Sequence, residues 1–409
     1  PLPEGRRVAV LTNSWGPAWL AADALGAAGL DLAEPSDATR AALAEALPEG
    51  SRIGPVVDLS NEADPSLFGL ALRALFADPG VDAVLTCYAP GLEAQYAEVA
   101  SAIVGAAAMP GATTLLACLL GAHDPELLRS GAIVVPEFPF PEEAAIALGR
   151  VARYAAWRRE PLGALPTFPE ADPERAAALV GEWLGDSGGC WLDAVRAAEL
   201  LATFGLAVVD QRLVHDEAEA VAAAAELGYP VALKATGLER LSKTEAGGVS
   251  LDVHGQDEVR QAYARMSATL GDAMRPALVQ AMVPEGVECR VGLFRHEVLG
   301  DVMTLGPGGA SAERVDDEAL RILPLTDADA ARLVDASRVG PLLDEAGVER
   351  RASVEDLLLR LGALADCVPE IAQLRLNPVL VSEAGAAITD VRIHLQPWAP
   401  DTRPAVRRL

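Results

Sequence analysis

Between Gly228 and Val249 the chain reads Gly-Tyr-Pro-Val-Ala-Leu-Lys, eight further residues, then Lys-Thr-Glu-Ala-Gly-Gly-Val, and this stretch narrows what it can become more than any other. Val231-Ala232-Leu233 predicts a short buried strand that delivers Lys234 from its end. Gly247 and Gly248 let a backbone loop approach an oxyanion without a side-chain clash. A lysine supplies the compact point charge that phosphate oxygens need. The segment therefore suits a nucleoside triphosphate. Its alternative reading is a strand and a turn with two solvated lysines, Lys234 and Lys243, since Gly-Gly pairs mark many turns.

Further motifs follow in order: Leu278-Val279-Gln280-Ala281-Met282, Gly286-Val287-Glu288, Gly306-Pro307-Gly308-Gly309 with Glu313, Arg321 ahead of Pro324-Leu325, and Leu376-Asn377-Pro378-Val379. In this order they resemble the ATP-grasp half of the ADP-forming (NDP-forming) acyl-CoA synthetases, the acetate-CoA ligase family related to succinyl-CoA synthetase. The nine-residue step from Lys234 to Lys243 is the one that recurs there. The resemblance covers nearly the whole chain.

At 409 residues the chain can bury two or three cores. Hydrophobic residues make up 51% and aromatics only 4%, so the cores are expected to be aliphatic. Lys plus Arg is 33 against 59 for Asp plus Glu, a formal charge of −26, which disfavours nucleic acid and anionic membrane as partners. A nucleotide site must then be a local positive pocket. Cys87, Cys118, Cys190, Cys289 and Cys367 are widely separated without a Cys-x-x-Cys, against both a disulfide framework and a zinc site. Reducing cytoplasm is the expected compartment. The sequence has no apolar run of about 18 residues that would cross a membrane, and Pro1 with a strand almost at once reads as the start of a fragment.

The first part alternates short apolar strands with helices. Strands are expected at Arg7 to Thr12, Ile53 to Leu59, Val81 to Tyr88, Thr113 to Cys118 and Ala132 to Pro136. Helices are expected at Pro17 to Ala28, Pro65 to Phe76, Glu93 to Ala108 and Glu142 to Arg158. That pattern implies a parallel sheet covered on both faces, an α/β flavodoxin-like domain over residues 1–159. Residues 160–175 carry four prolines and no helical or alternating pattern, as a linker would. Beyond it a helix at Leu192 to Phe204, a strand at Ala207 to Leu213 and a helix at Asp216 to Leu227 lead into the Lys234 strand. The resemblance makes 176–400 a two-lobed α+β ATP-grasp domain, with 401–409 a tail. Thr12-Asn13-Ser14-Trp15-Gly16-Pro17 and Gly54-Pro55-Val56-Val57-Asp58-Leu59 also resemble turns of the synthetases. Their glycines are expected to be structural, and Trp15, where the family has glycine, could fill a crevice open elsewhere.

The resemblance assigns roles residue by residue. Gln280 to Met282 would be the hinge against adenine, with Met282 on the ring; core packing is its alternative. Glu288 would reach the ribose or help order the metal. Asn377 and Asp390 would hold Mg²⁺, hard oxygen donors suited to a small cation that keeps several waters. The alternative there is a turn residue before Pro378 and a charge at a strand edge. ATP or ADP and Mg²⁺ are thus the implied ligands of this chain, with CoA in the intact protein.

Departures matter as well. Arg375 and Gln373 stand where the family carries acids facing a phosphohistidine. A guanidinium would contact phosphate instead. Ser242 occupies the place of a histidine that is a second phosphoryl carrier in some members. His123, His215, His254, His296 and His394 lie in no Ser-His-Thr-Gly-like context. The phosphohistidine and the CoA-binding domain are expected on a preceding domain or a separate subunit, and the small-molecule acid with them. The expected function is the ATP- and Mg²⁺-binding C-terminal portion of an ADP-forming acyl-CoA synthetase. The alternative is a catalytically degenerate nucleotide sensor fused to an N-acetyltransferase domain.

Overall fold

Strands Arg7–Thr12, Ala83–Tyr88 and Thr114–Leu119 are buried almost throughout, as near-continuous apolar sequence requires of parallel strands covered on both faces. In the computed structural model they lie side by side in parallel, Val10 opposite Leu85 and Leu85 opposite Leu116. Asp31–Leu32 and Val56–Asp58 extend the other edge of Arg7–Thr12, again in parallel. Helices Trp15–Ala27 and Pro141–Arg159 cover one face, burying Leu25 and Leu148 against Val10 and Leu85. Helices Asp37–Ala46, Pro65–Phe76 and Tyr96–Ala107 cover the other, with Leu43, Phe68 and Ile103 in its core. The parallel, doubly covered sheet expected from the sequence is present, with one correction: the segment expected as its strand at Ala132 to Pro136 instead pairs Ile133–Val134 antiparallel with Arg129–Ser130, outside that sheet, while Asp31–Leu32, not expected, joins its edge.

The structure describes residues 1–61, 63–122, 124, 126–185, 188–236, 247–309 and 317–398. The chain divides into two compact units, Pro1–Glu160 and Pro161–Leu409. Lys243, Ser242, Glu313, His123 and the tail 401–409 lie outside the described residues. Among the described residues no helix is long and apolar enough to cross a membrane.

In the second unit the chain stays irregular from Pro161 until Asp172, whose carboxylate accepts the Arg175 N–H at 2.9 Å and caps the helix Pro173–Leu184. The last three residues of the expected linker are therefore the first turn of a helix, with Pro173 at a position where a missing N–H is harmless. Two sheets follow. The smaller is antiparallel in the order Val249–Val253, Val231–Ala235, Ala277–Ala281, Gln211–Val214, backed by helices Glu217–Leu227 and Gln256–Leu270. The larger runs Ala319–Ile322, Gly300–Pro307, Val287–His296, Ile371–Ser382, Val391–Leu395, Cys190–Trp191, with Gly385–Ile388 also paired to Ile371–Ser382. Its core is closed by helices that include Asp327–Ala336 and Val348–Cys367. Each lobe thus has one sheet face on helices and one face left for chemistry.

Candidate functional site

Period-two alternation decides where Lys234 points. Val231, Leu233 and Ala235 enter the core under the helices, so Ala232 and Lys234 take the opposite face of the small sheet. Gln280 stands directly opposite Ala232, and Gln211 opposite Gln280, on that same face. Lys234 is only 8% exposed and Gln280 only 2%, so both must be hydrogen-bonded. The Lys234 Nζ donates to Gln280 Oε1 at 2.6 Å and to the carbonyl of Thr389 at 2.9 Å. Gln280 Nε2 in turn donates to that carbonyl at 3.1 Å and to Gln211 Oε1 at 3.2 Å. The two lobes therefore meet at Thr389.

Thr389 belongs to a knot in the large sheet. One strand places only Arg290 where its neighbour places both Asn377 and Pro378, a bulge of the kind that re-aims side chains. The Thr389 N–H and hydroxyl both donate to the Pro378 carbonyl, at 3.3 and 2.9 Å. The Asn377 N–H donates to the Asp390 carbonyl at 3.1 Å. Asn377 Oδ1 accepts the Gly309 N–H at 2.9 Å, and the Gly308 N–H donates to the Glu288 carbonyl at 2.8 Å. Glycine is required in this pair. A Cβ on Gly308 would sit 2.5 Å from backbone atoms of Cys289, and one on Gly309, whose φ is +63°, 1.7 Å from a Glu288 carboxylate oxygen.

Glu288, Asn377 and Asp390 are thus gathered around Gly309 and the bulge. Oxygen donors alone, with few protein ligands, fit Mg²⁺, which keeps waters and takes phosphate oxygens for the rest of its octahedron. Among the described residues no group of three or more His, Cys, Asp or Glu is close enough to hold a metal.

The other expected residues fall as follows. Gly247, with φ +70°, and Gly248 open the strand beside Lys234, and the Ala235 N–H donates to the Gly248 carbonyl at 2.8 Å. Met282 is half-buried just after its strand. Its N–H donates to the Pro230 carbonyl at 3.2 Å and that of Ala281 to Asp210 at 2.9 Å, so both amides of the expected hinge already have acceptors. Arg375 is exposed on the large sheet, between Gly292 and Arg392. The Gln280 side chain faces Lys234. In the first unit, a Cβ on Gly16 would meet no atom within 4 Å and one on Gly54 only an ordinary contact, and neither has positive φ, so the structural need expected for those glycines is absent. Trp15 packs beneath the Arg52 guanidinium at 4.6 Å and beside Trp19.

Sequence reasoning passed over Arg290. It is buried in the bulge, and its Nε lies 2.5 Å from Glu318 Oε1. The signal was the acid-x-base alternation of Glu288-Cys289-Arg290, which puts both charges on one face of a strand. Thr389 offered no signal, since its backbone carbonyl makes the contact. Cys289, between them, is turned into the core, where burial pushes its thiol up to about 12.

Residues 185–395 match the family described as an ATP-grasp domain. The chain is 31% identical over 400 residues to acetate–CoA ligase (ADP-forming) I of Archaeoglobus fulgidus, covering 95% of this chain and 57% of that protein. It is 28% identical over 410 residues to 4-hydroxybutyrate–CoA ligase (ADP-forming) of Nitrosopumilus maritimus, covering 97% and 58%. Against the beta subunit of acetate–CoA ligase (ADP-forming) I of Pyrococcus furiosus it is 30% identical over 208 residues, covering 49% of this chain and 90% of that subunit. The chain spans somewhat more than half the length of the first two relatives.

Proposed function

This chain belongs to the ATP-grasp family, and we propose that it is the nucleotide-binding portion of an ADP-forming acyl-CoA ligase, which converts an acid, CoA and ATP to acyl-CoA, ADP and phosphate. Convergence carries the reading: Lys234 on one lobe is hydrogen-bonded to Thr389 on the other, 155 positions away in sequence and adjacent to Asp390. A phosphate chain with its metal is the ligand that would need a buried cation, a glycine loop and clustered oxygen donors in one cleft.

Lys234 and Lys243 neutralise charge on the transferring phosphate, and the amides about Gly247 and Gly248 approach its oxygens. Gln280 fixes the lysine, Met282 packs on the base, and Glu288 reaches the ribose or the metal's water shell. Asn377 and Asp390 would hold Mg²⁺, which supplies further charge neutralisation when bound. The phosphoryl group then passes to a histidine on a CoA-binding partner segment, with ADP as the leaving group. We place the reaction in the cytosol, where the cysteines stay reduced. The relatives that the chain matches are ligases, which favours this reading over a sensor.

The test combines the chain with a partner polypeptide that carries the CoA-binding domain and the histidine. ADP release that depends on both CoA and a carboxylic acid, and that Lys234→Ala abolishes, is the expected result. Formation of AMP and pyrophosphate would overturn it.

A further inference from the structure

Gln280 holds Lys234 on the open face of the small sheet, and Gln280 is itself held. Gln211 stands directly opposite it on the neighbouring antiparallel strand, and Gln211 Oε1 accepts from Gln280 Nε2 at 3.2 Å. The Gln211 Nε2 donates in turn to the carbonyl of Ala194 at 3.2 Å. Ala194 opens the helix Ala194–Ala202, whose Ala197, Leu200 and Leu201 belong to the core of the large sheet. The Asp193 carboxylate fixes that helix end by accepting the Val195 and Arg196 N–H groups, at 2.9 Å each. Gln211 thus ties the small lobe to the large one at a second point besides Thr389.

Neither end of this series of bonds can reverse. A backbone carbonyl only accepts and an ammonium only donates, whereas a glutamine amide does either, depending on which way it is turned. The Ala194 carbonyl therefore requires the NH2 of Gln211, which leaves Gln211 Oε1 toward Gln280. That oxygen and the Thr389 carbonyl, which accepts at 3.1 Å, both require the NH2 of Gln280. Gln280 Oε1 is then left for the Lys234 Nζ, at 2.6 Å. Turned the other way, Gln280 would aim its NH2 at an ammonium. With Gln280 only 2% exposed, water would not relieve that opposition.

We propose that Gln211 is a positioning residue for the nucleotide site: anchored on Ala194, it fixes the orientation of the Gln280 amide and, through it, the direction of the Lys234 ammonium. The proposal rests on the nucleotide reading above. Gln211 acts through Gln280 rather than on the phosphates.

The test is a double-mutant cycle, because residues in one hydrogen-bond network are not additive. Mg-ADP is titrated calorimetrically into the full chain as wild type, Gln211→Met, Gln280→Leu and the double variant. Gln211→Met should weaken binding about threefold or more, the lower end of coupling within such a network, and should change nothing further in the Gln280→Leu background. A merely structural role would weaken both backgrounds alike. A second readout needs no nucleotide. Lys234 and Lys243 are the only lysines of the sequence, so isotope-labelled lysine gives two side-chain resonances, and Lys234→Arg identifies which is which. Gln211→Met should shift the Lys234 resonance and leave that of Lys243 in place. If Gln211→Met loses its cooperative melt, Gln211→Ala replaces it in both measurements. Wild-type affinity in the Gln211 variant, an unmoved Lys234 resonance, or equal losses in the two backgrounds each overturns the proposal while the nucleotide reading stands. If the wild type fails to bind Mg-ADP, the nucleotide reading falls, and the Lys234 resonance alone decides whether Gln211 orients the lysine.

Discussion

The Nζ of Lys234 donates a 2.9 Å hydrogen bond to the carbonyl of Thr389, and Gln280 is bonded to both partners of that contact. Gln280 is thus a positioning residue: its oxygen aims the ammonium group and its nitrogen holds the carbonyl. Gln280→Leu should weaken Mg-ATP binding about tenfold, roughly 1.4 kcal/mol. Gln280→Glu should weaken it further, since a carboxylate competes with phosphate for the lysine and repels it. Equal affinities for wild type and both variants in a calorimetric titration would remove Gln280 from the site.

The metal assignment predicts a separate signature. Asp390→Ala should raise the Mg²⁺ concentration needed for half-maximal ATP binding by about 10-fold or more, the scale of losses around metal sites. Asn377→Ala should do the same and also free the Gly309 N–H that its side chain now accepts. Titrating Mg²⁺ at fixed ATP reads both, and an unchanged midpoint in each variant would place the metal elsewhere.

The cysteines should differ in reactivity. Cys289 is fully buried and burial pushes its thiol up to about 12, so little thiolate exists at pH 8 and a haloacetamide should leave it unmodified in the folded chain. Cys367 is exposed, with partial burial first, and then Asp366, raising its thiol. Peptide mapping should find Cys367 labelled ahead of Cys289, faster as pH rises from 7 to 9, with Cys289 appearing only after denaturation.

In the first unit Asp82 accepts from the Arg7 side chain at 2.9 and 2.8 Å and from its backbone N–H at 2.9 Å. The Arg7 hydrogen bond leads the causes that hold the Asp82 carboxyl below its ordinary value. A depressed carboxyl pKa stabilises the fold above the unfolded value near 3.8, and that contribution is lost as pH falls through the lower folded value. Asp82→Asn should therefore lower stability by about 1–2 kcal/mol at pH 7, allowing for the half-exposed Arg7. The gap between variant and wild type should narrow below pH 4 in thermal melts.

What was legible in the sequence were the elements with strong local chemistry. Fully apolar strands such as Ala83–Tyr88, and the strand that carries Lys234, are specified by their own residues. The nearness of Asn377 and Asp390 followed only from resemblance, and the structure supplies its cause in the antiparallel register that sets Leu376 opposite Val391 and carries on to the Asn377–Asp390 backbone contact. The helix Asp37–Ala46 was passed over because it buries only Thr39 and Leu43, too little for an apolar stripe to register. The helix Pro173–Leu184 was missed altogether, its start hidden by prolines, which mark breaks and helix starts alike. The pairing of Arg375 with Arg392 and the reach of Lys234 to Thr389 depend on sheet register and lobe packing, which local patterns do not encode.

The central claim, a nucleotide gripped by Lys234, is tested most directly by titrating Mg-ADP into the wild-type chain and into Lys234→Ala. The wild type should bind in the micromolar to millimolar range, about −4 to −8 kcal/mol, and the variant at least tenfold more weakly while melting cooperatively. No binding by the wild type at millimolar Mg-ADP, or equal affinity in a folded variant, would contradict it.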